Sequence, residues 1–324
     1  MIAAPPETTT TPRVAVWRRG PVTLWRYQGE GARSGRPVLL LPSIINRAYV
    51  LDLRPGQSLV EFLRREAGRD VFLLDWGAPG LAEAGWGLEA YALGLLRPAI
   101  ATALSLSGAD ALHLLGYCLG GTFALIAATR LPRVASVVAL TTPVALGEPG
   151  ALGTLVDRRL LDLDRLAAAF PVVPGELLWT AFQALDPVGI ARKWRGFQER
   201  SQDREFVARF GAQEGWLADP VPVTARALRD VVQGLYRDDG LARGTLVLEG
   251  RPVRLADGRC PALALIARGD GIVPPASSRA LAGLWGGPVA IEELDGGHIG
   301  ITVGSRARAG MWRAAREWLE RSDA

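Results

Sequence analysis

Short apolar runs alternate with amphipathic stretches along most of this chain. Residues 13–18 and 22–27, joined by Arg19-Gly20-Pro21, predict a hairpin. The runs 37–41, 71–76, 111–116 and 137–141 are predominantly apolar, which predicts strands buried on both faces of a parallel sheet. Helical patterns over 58–66, 88–106 and 119–130 lie between them and supply the covering layers. The alternation stops near Thr142. From there to 240 the pattern predicts helices over 152–170, 176–185, 204–210 and 224–236, punctuated by Pro171, Pro174, Pro187, Pro220 and Pro222. A second hairpin is predicted at 245–248 and 251–255. The strand–helix pattern then resumes with a strand at 262–267, a helix at 276–284, a strand at 290–294 and an amphipathic helix at 306–321. The expected architecture is α/β, with a mostly parallel central sheet interrupted by a mainly helical cap. Its divisions are a disordered tail at 1–12, a first core part at 13–142, the cap insertion at 143–250 and a second core part at 251–324.

Composition narrows the classes of function. The 324 residues are 49% apolar and 22% charged, enough for one sizeable core with an insertion. The net charge of +4 comes from scattered arginines that are not interleaved with aromatics, which argues against nucleic-acid binding. Residues 1–12 are rich in Pro and Thr and lack the basic and apolar regions of a secretion signal. No apolar run approaches the roughly 18 residues of a membrane span, so no transmembrane segment is expected. Two cysteines far apart make neither a disulfide framework nor a zinc site. The expectation is a cytoplasmic protein with reduced thiols, no metal and no bound cofactor.

The candidate chemistry is concentrated in a few residues. Cys118 sits in Gly116-Tyr117-Cys118-Leu119-Gly120-Gly121, directly after an apolar strand and before a helix. Flanking glycines permit a sharp strand-to-helix turn, and the helix N-terminus favours negative charge on the sulfur. A nucleophile in such a turn, with a histidine much later in the chain, is the layout of an α/β-hydrolase active site with sulfur replacing the serine oxygen. Only two histidines occur. His298, in Gly296-Gly297-His298-Ile299-Gly300 after a predicted strand, is placed to be the base; His113 lies inside a predicted strand and reads as a packed core histidine. Between Cys118 and His298 in chain order, Asp270 directly follows the strand 262–267 and is the favoured acid over Asp238, Asp239, Asp257 and Asp295. The backbone N–H of Leu119 supplies one oxyanion donor, and the loop Pro42-Ser43-Ile44-Ile45-Asn46, at Ile45, supplies the other. Cys260, at the mouth of an apolar strand, reads as a small buried hydrophobe.

Several motifs together carry a resemblance. Leu41-Pro42, Ile45-Asn46-Arg47, Tyr49-Val50-Leu51-Asp52-Leu53-Arg54-Pro55, Asp75-Trp76-Gly77, Gly116-Tyr117-Cys118-Leu119-Gly120-Gly121-Thr122 and Thr142-Pro143-Val144 occur in this order. Pro174-Gly175-Glu176-Leu177-Leu178, Asp270 with Ile272-Val273-Pro274-Pro275, and Gly297-His298-Ile299-Gly300-Ile301 follow. The set resembles polyhydroxyalkanoate synthases from about Pro37 to the end, and is most similar to the short catalytic subunits of class III synthases. Two positions depart from the family pattern: Gly271 stands where a histidine usually follows the acid, and Ala145 where an aspartate usually follows Thr-Pro-Val.

The resemblance implies Cys118, Asp270 and His298 as the catalytic set under a cap. It implies 3-hydroxyacyl-CoA as substrate, with CoA as a product, and polyester made through an acyl-cysteine. It further implies association with the polyester granule surface and a second, non-catalytic synthase subunit, and homo-oligomeric assembly is expected. Two alternatives use the same fold: a cysteine thioesterase or ester hydrolase with water as acceptor, and a non-catalytic granule-binding relative.

Overall fold

Eight strands form one sheet: β1 (Arg13–Arg19), β2 (Val22–Tyr27), β3 (Val38–Leu41), β4 (Val71–Asp75), β5 (Leu112–Tyr117), β6 (Val134–Leu140), β7 (Ala262–Ala267) and β8 (Val289–Leu294). Their spatial order is β1-β2-β4-β3-β5-β6-β7-β8. The β1–β2 and β2–β4 pairs are antiparallel and the rest are parallel. The computed structural model describes residues 11–28, 34–147 and 150–323.

The central parallel strands are apolar because both faces are covered. Every side chain of β3, β5 and β7 is buried, including His113. The early helices are α1 (Leu59–Arg65), α2 (Leu96–Ser107) and α3 (Leu119–Arg130). Ser58 starts α1 by accepting the Glu61 N–H at 2.8 Å, a side-chain N-cap. A wider π turn, Ala90–Gly94, precedes α2, so the helix predicted over 88–106 is two coils of different pitch. Together they make Ala90–Ser107 long and apolar enough to cross a membrane, with mean hydropathy 1.2, contrary to the expectation that no run reaches that length. Half of the stretch is buried inside the fold, where Leu93, Leu96, Ala99 and Ile100 join the core.

Between β6 and β7 the chain leaves the sheet. Helices α4 (Gly150–Val156), α5 (Leu163–Ala169), α6 (Gly175–Gln183), α7 (Pro187–Glu199), α8 (Arg204–Leu217) and α9 (Ala225–Arg229) follow, and a π turn at Asp230–Arg237 extends α9. The helix predicted over 152–170 is broken in two, with Asp162 capping α5 through the N–H groups of Asp164 and Arg165. Helix α7 was not predicted. Asp186 caps it at the Gly189 N–H, and Pro187 occupies its first turn, where a missing N–H costs nothing. A short antiparallel pair, Val172–Val173 with Val223–Thr224, closes the base of this insertion.

After β7 come α10 (Pro275–Arg279), α11 (Leu281–Leu284), α12 (Gly300–Val303), a π turn at Arg308–Trp312 and α13 (Arg313–Asp323). The C-terminal helix is pinned to the sheet by Asp323, which meets Arg69 and the Nε2 of His113. Of the tail expected at 1–12, residues 1–10 lie outside the described residues. Thr11 is buried, and its hydroxyl donates to Asp52 at 2.8 Å.

Candidate active site

Cys118 stands between β5 and α3 with φ +55°, a left-handed backbone that L-residues rarely adopt. The sharp bend works because its neighbours lack side chains. A β-carbon on Gly116 would come within 2.4 Å of the Gly121 backbone, and one on Gly120 would lie 1.9 Å from the Leu41 carbonyl oxygen. The spacing of the glycines thus reflects close approach of α3 to β3 and β5. Leu119 is the first residue of α3, so its N–H has no acceptor within the helix.

His298 lies in the loop after β8, and Asp270 in the loop after β7. The Gly269 N–H donates to the Gly296 carbonyl at 2.9 Å, which latches the two loops together. His298 Nδ1 and Asp270 Oδ2 are 2.7 Å apart, and both residues are buried. The other carboxylate oxygen, Oδ1, accepts the N–H groups of Ile272 and Val273, each at 2.9 Å, which fixes the direction of the carboxylate. The imidazole and the Cys118 side chain line the same recess, and the sulfur is near enough to raise the imidazole's pKa. Burial alone lowers the His298 pKa, but the negative sulfur of Cys118 and the Asp270 hydrogen bond outweigh it and push the value up to about 10. The ring of Tyr117 lies 5.3 Å from the imidazole and closes one side of it.

The second histidine belongs elsewhere. His113 is fully buried, with Nδ1 2.8 Å from Ser136 Oγ and Nε2 3.0 Å from Asp323 Oδ1. Desolvation pulls its pKa below the ordinary value, against the pull of Asp323. Cys260 is a free thiol that burial pushes up to about 11, consistent with a packing role. Cys118 is also unpaired.

Two recesses meet at Cys118. The smaller, about 90 Å³, contains Ser43, Asn46, Gln183, Trp179 and His298 along its walls. The larger, about 440 Å³, is walled by leucines, valines and Phe182 of the insertion. Ile45 borders both recesses, so the loop after β3 lies beside the sulfur as the sequence predicts. That loop is held from two sides. The Trp76 indole N–H donates to the Pro42 carbonyl at 2.9 Å, and the Trp216 indole N–H donates to the Arg47 carbonyl at 2.9 Å.

Two residues at the site escaped the sequence reading. Ser43 is buried, and its hydroxyl has no hydrogen-bond partner although it borders the smaller recess. Tyr236, on the π turn after α9, borders the larger one. Burial, reinforced by the negative charges of Cys118 and Asp270, raises its pKa, so the phenol remains a neutral donor. Ser43 was visible within the quoted loop. Tyr236 lies far from any motif, and only the folding of the insertion brings it to the sulfur.

The arrangement suits acyl transfer: a thiol in a strained turn, a buried imidazole beside it and a carboxylate oriented toward that imidazole. Comparison with known proteins gives the family context. A model of the alpha/beta hydrolase fold matches residues 36–304, and a model of the poly-beta-hydroxybutyrate polymerase (PhaC) N-terminus matches residues 6–63. The chain is 32% identical to the poly(3-hydroxyalkanoate) polymerase subunit PhaC of Allochromatium vinosum, over 97% of this chain and 89% of that one. It is 30% identical to the proteins of the same name from Thiocystis violacea, over 98% and 90%, and from a Synechocystis species, over 95% and 84%. Among solved structures, an esterase from Thermogutta terrifontis superposes with TM-score 0.53 at 20% identity, covering 97% of this chain and 100% of that one. A monoacylglycerol lipase from Paleococcus ferrophilus gives 0.52 at 19% identity, over 92% and 99%. At those identities the structural matches speak for the α/β-hydrolase fold alone.

Proposed function

The chain belongs to the family of poly(3-hydroxyalkanoate) polymerase PhaC subunits, and from that membership we propose that it joins 3-hydroxyacyl groups from CoA thioesters into polyester, carrying each acyl group on Cys118. The observation that carries the reading is the hydrogen-bonded Asp270–His298 pair beside Cys118, where two recesses meet.

The Cys118 thiol gives its proton to His298, and the thiolate attacks the thioester carbonyl of the substrate. The negative oxygen of the tetrahedral intermediate is held by the N–H groups of Leu119 and Ile45, donors of a kind worth about 3 kcal/mol each. The carbon–sulfur bond to CoA breaks, and CoA leaves with the proton from His298. A 3-hydroxyl group then attacks the acyl-cysteine and gives its proton to His298. An ester bond forms and the thiolate is released, so the cycle balances without any further reagent. Asp270 holds the imidazole in one tautomer and stabilises its charged form. The Tyr236 phenol, a neutral donor beside the sulfur, bonds the oxygen on C3 of the bound acyl group.

Sulfur suits this exchange because thioester-to-thioester transfer keeps the acyl group activated for the next attack. The insertion keeps water from the acyl-enzyme, and so favours elongation over hydrolysis. We assign the enzyme to the cytoplasm at the surface of its own polymer, as one subunit of an assembly that also holds a second, non-catalytic subunit. Homo-oligomerisation of the chain is part of the same proposal.

The test compares wild type with Cys118→Ala on 3-hydroxyacyl-CoA thioesters, following CoA release and product. Polymer from the wild type with neither CoA nor polymer from the variant supports the proposal. Unchanged CoA release in the variant rejects Cys118 as nucleophile, and free 3-hydroxy acid as the sole product assigns a hydrolase.

A further inference from the structure

The larger recess beside Cys118 is unusual in its chemistry. Among the described residues that wall it, Cys118 and Tyr236 are the only ones with polar side chains, and the rest are aliphatic or phenylalanine. One wall is the catalytic floor, Ile45, Cys118, Leu119 and Ile272, and the others come from the insertion. Its volume is about 440 Å³. An apolar cavity of about 150 Å³ holds a benzene molecule, so this one has room for a hydrocarbon chain well beyond six carbons. A single methyl group, the side chain of a 3-hydroxybutyryl unit, would leave most of it unfilled and its lining without contact partners.

Resting on the function proposed above, we propose that this cavity seats the alkyl side chain borne on C3 of the monomer. The enzyme is then selective for medium-chain 3-hydroxyacyl-CoA, with side chains of about five to nine carbons. The growing polyester is the competing occupant. Each of its units carries an ester carbonyl that would leave water for walls offering one phenol as a strong donor, and unpaired polar groups of that kind are costly to bury. Hydrocarbon has no such requirement. The smaller recess, with Asn46, Gln183 and His298, has the polar groups that a hydroxyl-bearing acceptor needs at the moment of attack. The two recesses divide the substrates by polarity: alkyl side chain on one side of the sulfur, attacking hydroxyl on the other.

Val232 and Leu166 contribute to the apolar walls from different helical segments of the insertion. The experiment measures kcat/KM by CoA release with 3-hydroxybutyryl-CoA and 3-hydroxydecanoyl-CoA on wild type, Val232→Phe and Leu166→Trp. Circular dichroism reports folding of each variant. One methylene in a fitted apolar pocket changes kcat/KM by about tenfold or more, so wild type is expected to favour the decanoyl substrate by at least about tenfold. Each filling variant is expected to lower the decanoyl constant at least tenfold more than the butyryl one. A wild type that prefers the butyryl substrate overturns the inference and leaves the polymerase reading standing. Parallel loss on both substrates in the folded variants also overturns it, as does shorter polymer with an unaltered chain-length preference, which would place polyester in the cavity. CoA release from neither substrate in the wild type removes the polymerase reading itself, and this inference with it.

Discussion

His298 Nδ1 and Asp270 Oδ2 lie 2.7 Å apart within the interior, and the second Asp270 oxygen is held by two backbone N–H groups of its own loop. The carboxylate therefore cannot swing away from the imidazole without losing both bonds. Position and charge separate cleanly in the Asp270→Asn variant, which keeps an oxygen for the N–H groups but removes the negative charge. CoA release is expected to fall about a thousandfold or more, while the thermal midpoint moves by only a few degrees. A variant retaining most of its turnover would show that the carboxylate does not orient the base.

The presence of two histidines makes protonation directly observable. In an NMR titration of histidine-labelled protein, His298 is expected to remain protonated until pH approaches about 10, and His113 to resist protonation below its ordinary value. The Cys118→Ala substitution removes the negative sulfur, and the His298 midpoint should move down. The folding consequences have opposite signs. His298, raised in the native state, gives stability that is complete below its ordinary value of 6.5 and is lost as pH rises toward about 10. His113, lowered in the native state, makes the fold less stable as pH falls below 6.5, because the unfolded chain takes the proton more readily. Equal midpoints for the two rings would contradict both assignments.

Gly120 and Gly271 offer a contrast in backbone space. A β-carbon on Gly120 would overlap the Leu41 carbonyl oxygen at 1.9 Å, whereas one on Gly271 meets nothing within 4 Å. Gly120→Ala should cost about 3 kcal/mol or more, as helix α3 is pushed from β3. Gly271→Ala should stay within about 0.5 kcal/mol of wild type. Urea unfolding measures both.

Asp323 is the sole acidic partner shown for two buried groups, Arg69 and His113. Asp323→Ala leaves a buried guanidinium without its counter-charge, and a loss of about 3 kcal/mol is expected. Because α13 would loosen from β6 first, hydrogen exchange should show faster amide exchange in α13 than in β5. Uniform acceleration across the sheet would mean that the helix and the core unfold as one unit.

Much of this was legible in the sequence, for definable reasons. The strands beside the site are apolar on both faces, so 262–267 was placed to the residue and helix α3 was bounded correctly by Cys118 and Leu131. Cys118, Asp270 and His298 stand out in the sequence because each follows a predicted strand, and the structure brings the three to the same end of the sheet. Local chemistry that reads two ways caused the errors. Asp186-Pro187 was taken for a break, yet it is a cap followed by a first-turn proline, and α7 begins there. The π turns at 90–94, 230–237 and 308–312 leave no mark on apolar periodicity, because they keep the same residues facing inward over a short span. Tyr236 was missed for that reason together with its distance along the chain. The phenol joins Cys118 on the wall of the larger recess only once the insertion has folded over the sheet.

Trp216 and Asp219, both at the end of α8, hold the loop that carries Ile45. The indole N–H donates to the Arg47 carbonyl, and the Asp219 carboxylate binds Arg47 at 3.0 Å and the Tyr49 hydroxyl at 3.2 Å. The helical insertion and the loop after β3 are therefore fastened to each other. Raising the insertion far enough to flood the sulfur with solvent would unfasten the same loop. Under the proposed acyl-cysteine route, exposure to water and readiness to react would exclude one another, and the tie between the two segments would shield the acyl group from accidental loss.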